Sequence, residues 1–162
     1  MIIHPIAPLF NSESRILILG SFPSVKSRES GFYYGHPQNR FWKVISRVFE
    51  REEPKSIDEK RELLLSLGIA LWDVIHSCEI VGSSDSSIKN ALPNDVISVI
   101  QASKIEKIYV NGKTAKKYYD KFLKDKLQME AELLPSSSPA NAALSLDGLT
   151  LIWKEKLLRG KL

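Results

Sequence analysis

Four short apolar runs constrain this chain more than any other feature: RILILG at 15–20, IALWDVI at 69–75, IEKIYVNG at 105–112 and MEAELLP at 129–135. Each has the length of a strand, and the first two read as strands buried on both faces. Helical segments lie between them. NRFWKVISRVFE (39–50) brings Phe41, Trp42, Val44, Ile45, Val48 and Phe49 to one side of a helix. SIDEKRELLLSLG (56–68) opens on a Ser56–Glu59 capping box and closes at Gly68. NDVISVIQAS (94–103), capped by Asn94 or Asp95, KTAKKYYDKFLKD (113–125) and LTLIWKEKLLRG (149–160) supply three more. Strands that alternate with helices in this way predict an α/β fold, a three-layer α/β/α sandwich around a central four-stranded parallel sheet. SFPSVKSRESGFYYGHPQ (21–38) and HSCEIVGSSDSSIKNALPND (76–95) read as long polar loops, the second of functional length. With 162 residues and no repeat or linker, the expectation is one domain, 1–162.

Composition narrows the chemistry. A single cysteine, Cys78, leaves no internal disulfide and no thiolate metal cluster, and three histidines (His4, His36, His76) are scattered along the chain. No metal and no cofactor is expected. GxGxxG and GxxxxGK[ST] phosphate loops are absent, which disfavours a dinucleotide or a P-loop nucleotide. Without a signal-like segment or an apolar run near ~18 residues, no membrane is expected and a cytoplasmic location is. The formal charge of +4 suits a polyanionic partner without requiring one.

In parallel α/β sheets ligands bind at the carboxyl ends of the strands. Here those ends are GSFPS, WDVIHS, VNGK and LPSSSPAN, so the unusual polar stretches all fall on one edge. LPSSSPAN brings hydroxyls and N–H groups to a helix start, where a phosphate can sit. Asn111 can read the edge of a base, Lys113 can meet a phosphate, and Tyr33 and Tyr34 can stack on a base.

The motifs GSFPS…YYGHPQNRFW, NGK and LPSSSPANA, in this order, resemble the uracil-DNA glycosylase superfamily, and most closely its hypoxanthine-DNA (deoxyinosine) glycosylase branch. GHPQNRFWKVI also resembles the mismatch-specific uracil-DNA glycosylases. The resemblance runs from about Arg15 to Trp153. It implies a monomeric base-flipping enzyme, nucleoid-associated if prokaryotic. Such an enzyme would act on double-stranded DNA with a deaminated base and leave an abasic site. A mismatch-type uracil or thymine glycosylase, and a noncatalytic nucleic-acid-binding module of the same fold, are the alternatives.

Carried onto this sequence, the resemblance makes Asn39 the catalytic residue, orienting a water; asparagine is equally at home as a helix N-cap, and the two roles are compatible. Gly20, Ser21, Phe22, Pro23, Tyr34, His36 and Asn111 would form the base pocket. Phe22 stands where uracil enzymes carry Asp or Asn, so it would wall the pocket or belong to the core. Lys113, Ser136, Ser137, Ser138, Pro139, Ala140 and Asn141 would meet the DNA backbone or act as the wedge. Leu134 stands where uracil enzymes often have histidine, which argues for a purine leaving group. The proton for that purine would come from water or from Asp73.

Overall fold

The computed structural model describes residues 1–159. Its central sheet is parallel, in the order β3 (Ile69–Asp73), β2 (Ile16–Gly20), β6 (Lys107–Asn111), β7 (Ala131–Leu134). Side-chain parity sorts the sheet into two faces, as the pleat requires. Ile16, Ile18, Ile69, Leu71, Tyr109 and Leu134 pack into one core. The opposite residues Leu17, Leu19, Ala70, Ile108, Val110 and Ala131 pack into a second. The first core is covered by α2 (Phe41–Val48), α3 (Ile57–Ser66) and α7 (Leu146–Leu157). The second is covered by α4 (Val96–Gln101) and α5 (Lys113–Phe122), which a short α6 (Lys124–Leu127) follows. The expected three layers and four parallel strands are therefore present. The expected end of the last helix at Gly160 lies outside the described residues.

Three local expectations need correction. The stretch 21–38 is not all loop: α1 (Val25–Ser30) forms within it, capped by Ser24, whose Oγ accepts from Ser27 N, and ended by Gly31 at φ 76°. A helix this short carries no apolar period to read. The stretch 76–95 is not a loop either. β4 (Ile75–Glu79) and β5 (Lys89–Pro93) make an antiparallel hairpin, and Ile2–Ile3 (β1) adds to its other side. The second apolar run consequently ends as a central strand at Asp73, and Ile75 belongs to the hairpin. The base of the hairpin is tied to β3 by Asn94, whose Nδ2 donates to the carbonyls of Asp73 and Ile75. Asn94 being so used, Asp95 is the residue that caps α4. At α3, Ser56 Oγ accepts from Glu59 N as expected, but Glu59 reaches back to Lys55 N rather than to Ser56.

Candidate active site

Each tryptophan of the chain donates its indole N–H to a carbonyl in a segment that leads to or flanks the strand-end edge. Trp42 binds Tyr33 O at 3.1 Å, Trp72 binds Ile6 O at 3.3 Å, and Trp153 binds Pro135 O at 2.8 Å. The segment around 33–39, the N-terminal segment and the segment starting at Pro135 are thereby fixed relative to the sheet. Between them, at the carboxyl ends of β2, β3, β6 and β7, lies a cavity of about 530 Å³. That is within the usual range for a ligand pocket.

The cavity is lined by Gly20, Ser21, Phe22, Pro23, Tyr34, His36, Asn39 and Asn111, and by Ser136, Ser137, Ser138, Pro139 and Ala140. Two expected residues stand apart from it. Lys113 is exposed on the first turn of α5. Asn141 braces the loop, donating from Nδ2 to Ser136 O and from its own N to Ser138 O. Tyr33, expected as a stacking residue beside Tyr34, touches the cavity but is 2% exposed and donates its hydroxyl to Ala7 O, so most of its ring is packed in the core. Phe22 serves both readings offered for it: it is buried in the second core and lines the cavity.

A chain of hydrogen bonds joins the motifs. Ser137 Oγ donates to Asn39 Oδ1 (2.9 Å) and accepts from Asn111 Nδ2 (3.0 Å). Asn111 Nδ2 also donates to the Tyr34 hydroxyl (3.2 Å), while its Oδ1 accepts from Ser137 N (3.0 Å). Ser137 was grouped with the DNA-backbone contacts, yet it is 0% exposed and its hydroxyl is spent inside this network. It is the hub between the asparagines, whereas Ser136 and Ser138 remain partly exposed.

Asn39 Oδ1 accepts a second bond, from Phe41 N at 2.9 Å, which braces the entry to α2, but the expected N-cap position falls on Arg40, whose carbonyl accepts the first helical bond from Val44 N. The acceptor capacity of Asn39 Oδ1 is then filled. No described residue accepts from Nδ2, which leaves an N–H donor on the cavity wall. His36 Nδ1 accepts from Gln38 N (3.1 Å), so the neutral ring carries its proton on Nε2.

Tyr34 occupies a left-handed backbone position, φ 53°, unusual for an aromatic residue. One face of its ring stacks on Phe41, centroids 4.1 Å apart. Its phenol is pushed well above the ordinary range, first by burial and then by the nearby charge of Asp73. It therefore remains a protonated donor.

Three residues of the site, Arg40, Asp85 and His4, escaped the sequence reading, and Asp73 was expected there only as an alternative proton source. Arg40 donates to the carbonyls of Ser138 (2.9 Å), Asn141 (2.9 Å) and Leu144 (2.5 Å), stapling the serine loop to α2. Asp85, from the 3₁₀ turn Asp85–Ser87, accepts from Ser21 Oγ at 3.1 Å. Although Asp85 as a whole is exposed, desolvation of its carboxyl where it leans on the cavity raises its pKa, against the opposing bonds from Ser21 and Thr114. Asp73 lines the cavity floor and is 4% exposed. His4, 8% exposed, lies 2.6 Å from it. The only signal for these in the sequence was position: Asp73 ends a strand, and Arg40 follows Asn39.

The strand ends of a parallel-sheet sandwich thus enclose an amide-lined, aromatic-walled pocket, which defines a ligand-binding α/β protein. The chain matches the uracil DNA glycosylase superfamily model over residues 7–158 and belongs to that superfamily. It is 34% identical over 139 residues to the hypoxanthine DNA glycosylase of Methanosarcina acetivorans, covering 85% of this chain and 87% of the relative. It is 33% identical over 156 residues to the hypoxanthine DNA glycosylase of Methanosarcina barkeri, covering 94% and 96%. Among solved structures, a Methanosarcina acetivorans protein proposed to be a uracil DNA glycosylase, determined by solution NMR, superposes with a TM-score of 0.77. It shares 30% identity, over 93% of this chain and 95% of that one.

Proposed function

We propose that this protein is a monofunctional DNA glycosylase that extrudes a deaminated base, hypoxanthine foremost, and hydrolyses its bond to deoxyribose. The observation that carries the reading is the hydrogen-bonded chain Asn39–Ser137–Asn111–Tyr34, which gathers three strand-end motifs around one pocket. Extrusion costs a few kcal/mol, and least for a base that pairs badly. Tyr34, backed by Phe41, closes one side of the pocket that the flipped base would enter.

The water is the nucleophile. Asn39 is no base; its Nδ2–H holds the water by one lone pair and leaves the other for the anomeric carbon. As the glycosidic bond breaks, its electron pair leaves with the base and positive charge gathers on the sugar. The water oxygen then bonds that carbon, one of its protons is lost to solvent, and the base takes up a proton from solvent. A nucleophile meeting an oxocarbenium-like centre needs orientation more than activation. Leu134, fully buried in the core, stands at the end of β7 where uracil enzymes often have the histidine that holds a departing uracil anion, which supports a purine as the favoured base. The partly exposed Ser136 and Ser138 and the exposed Pro139, Ala140 and Lys113 are assigned to the DNA backbone and the wedge.

Asn39→Ala tests the assignment. Single-turnover excision from a deoxyinosine duplex should fall roughly 10²–10³-fold, with duplex affinity within about threefold of wild type. Equal loss of both would reduce Asn39 to a brace at the entry to α2. A panel of single-lesion duplexes decides between hypoxanthine and a uracil or thymine mismatch preference. Binding without release of any base would mark a noncatalytic module.

A further inference from the structure

His4 and Asp73 lie outside the motifs that define the pocket, yet they form a buried pair at its floor. The proton arrangement follows from the partners. His4 Nδ1 accepts from Ile6 N at 3.2 Å, so the ring carries its hydrogen on Nε2 and donates it to Asp73 Oδ2 at 2.6 Å. His4 is itself wedged edge-on between Phe22 and Trp72. One carboxylate oxygen is thus pinned.

The other oxygen has a different setting. A Cβ on Gly20 would fall 2.4 Å from Asp73 Oδ1 and 3.3 Å from the Tyr34 hydroxyl. Both atoms therefore reach into the same small space above Gly20, which is kept open by the missing side chain. Asp73 Oδ1 can only accept. The Tyr34 hydroxyl already accepts from Asn111 Nδ2 and has its own hydrogen left to donate.

We infer that Asp73 Oδ1 and the Tyr34 hydroxyl form an acceptor–donor pair that selects bases with a lactam edge, an N–H beside a C=O, with His4 holding the carboxylate in place. Hypoxanthine shows that edge at its ring N–H and carbonyl, and so does uracil. Adenine and cytosine show a ring lone pair beside an amino group, which sets lone pair against carboxylate and N–H against O–H. Deamination inverts this pattern, so the pair admits the damaged base and rejects its parent. The inference rests on the glycosylase reading above and makes Asp73 its specificity residue.

Asp73→Asn is the informative change because His4 dictates its orientation. The imidazole N–H keeps the amide oxygen on its side, which turns the amide N–H₂ toward Gly20 and reverses the polarity offered to the base. If Asp73 merely braced the strand end, the isosteric amide would do equally well. The experiment is single-turnover base release from a deoxyinosine duplex by wild type and Asp73→Asn, with circular dichroism and Tm alongside. The variant should keep its fold and release base about 10–100-fold more slowly. A folded variant within about threefold of wild type overturns the inference.

If the variant does not fold, wild type on an N1-methyldeoxyinosine duplex decides. Release at least about tenfold slower than from deoxyinosine upholds the role of the ring N–H, and equal release overturns it. Should wild type free uracil but not hypoxanthine, the same variant is compared on a deoxyuridine duplex, since the edge is shared. Then only the base choice of the proposed function fails. No base from any duplex ends the glycosylase reading and this inference together.

Discussion

At Gly20 the backbone of β2 runs directly beneath the pocket, and the absence of a side chain there is a functional requirement. Gly20→Ala would place a methyl group against Asp73 Oδ1, which His4 prevents from swinging away. We expect excision to fall by about 10²-fold and stability to drop by ~1–3 kcal/mol, checked by single-turnover kinetics and chemical denaturation. Tyr34 shows the same economy. Its left-handed backbone costs of order 1–2 kcal/mol, and stacking on Phe41 with a bond from Asn111 holds it there. Asn39, Asn111 and Tyr34 were legible in the sequence because each sits in a motif at the end of a strand or the start of a helix. The His4–Asp73 pair was not, since 69 residues separate the partners and His4 belongs to no recognisable pattern.

Among the elements, the loop 135–145 depends on side chains from its neighbours more than on its own. Trp153 holds its first carbonyl and Arg40 holds three further along. Hydrogen bonds to a charged donor are worth about 1.5–3 kcal/mol each before solvent competition, and Arg40 is only partly exposed. Arg40→Ala should cost ~2 kcal/mol or more in urea denaturation and weaken DNA binding along with turnover, unlike Asn39→Ala. Retained stability would show that the loop holds itself.

The hairpin β4–β5 carries Asp85 to the cavity. Its carboxyl has a folded pKa above its unfolded one, mainly through desolvation, so ionisation near neutrality works against folding. Asp85 therefore stabilises most below its unfolded pKa, and this contribution is lost as the pH rises through the folded value. Asp85→Asn should raise Tm relative to wild type at pH 7, with the difference closing as the pH approaches 4. A Tm difference independent of pH would contradict that assignment. Neither this hairpin nor α1 was visible beforehand. α1 is only six residues long, and the segment 82–87 that joins the hairpin strands is Gly, Ser and Asp, whose own preferences favour turns. Their regularity comes from contacts such as Asn94 with the end of β3 and Val25 N with Ser83 Oγ.

On the scale of the molecule, four strand-length segments alternating with helices were enough to announce a parallel sheet covered on both sides, because crossover helices must pack on its faces. The order β3-β2-β6-β7 was not readable in advance, as it depends on which crossovers pack. Yet the strand ends, and so the location of the pocket, follow from parallel topology whatever the order. The positive net charge fits transient, salt-sensitive tracking along phosphate: raising salt from 50 to 200 mM should weaken binding to undamaged duplex by an order of magnitude or more. Binding indifferent to salt would argue against a phosphate-guided search.

The central claim is that a base leaves DNA here by hydrolysis in the pocket between Tyr34 and Asn39. The most direct measurement is chromatographic identification of the base freed from a deoxyinosine duplex, with alkali-dependent strand cleavage of the same sample. The account predicts free hypoxanthine and an equal yield of alkali-labile sites from wild type, and both at a rate roughly 10²–10³-fold lower from Asn39→Ala. Bound duplex with no free base, or equal release by the Asn39 variant, would contradict it.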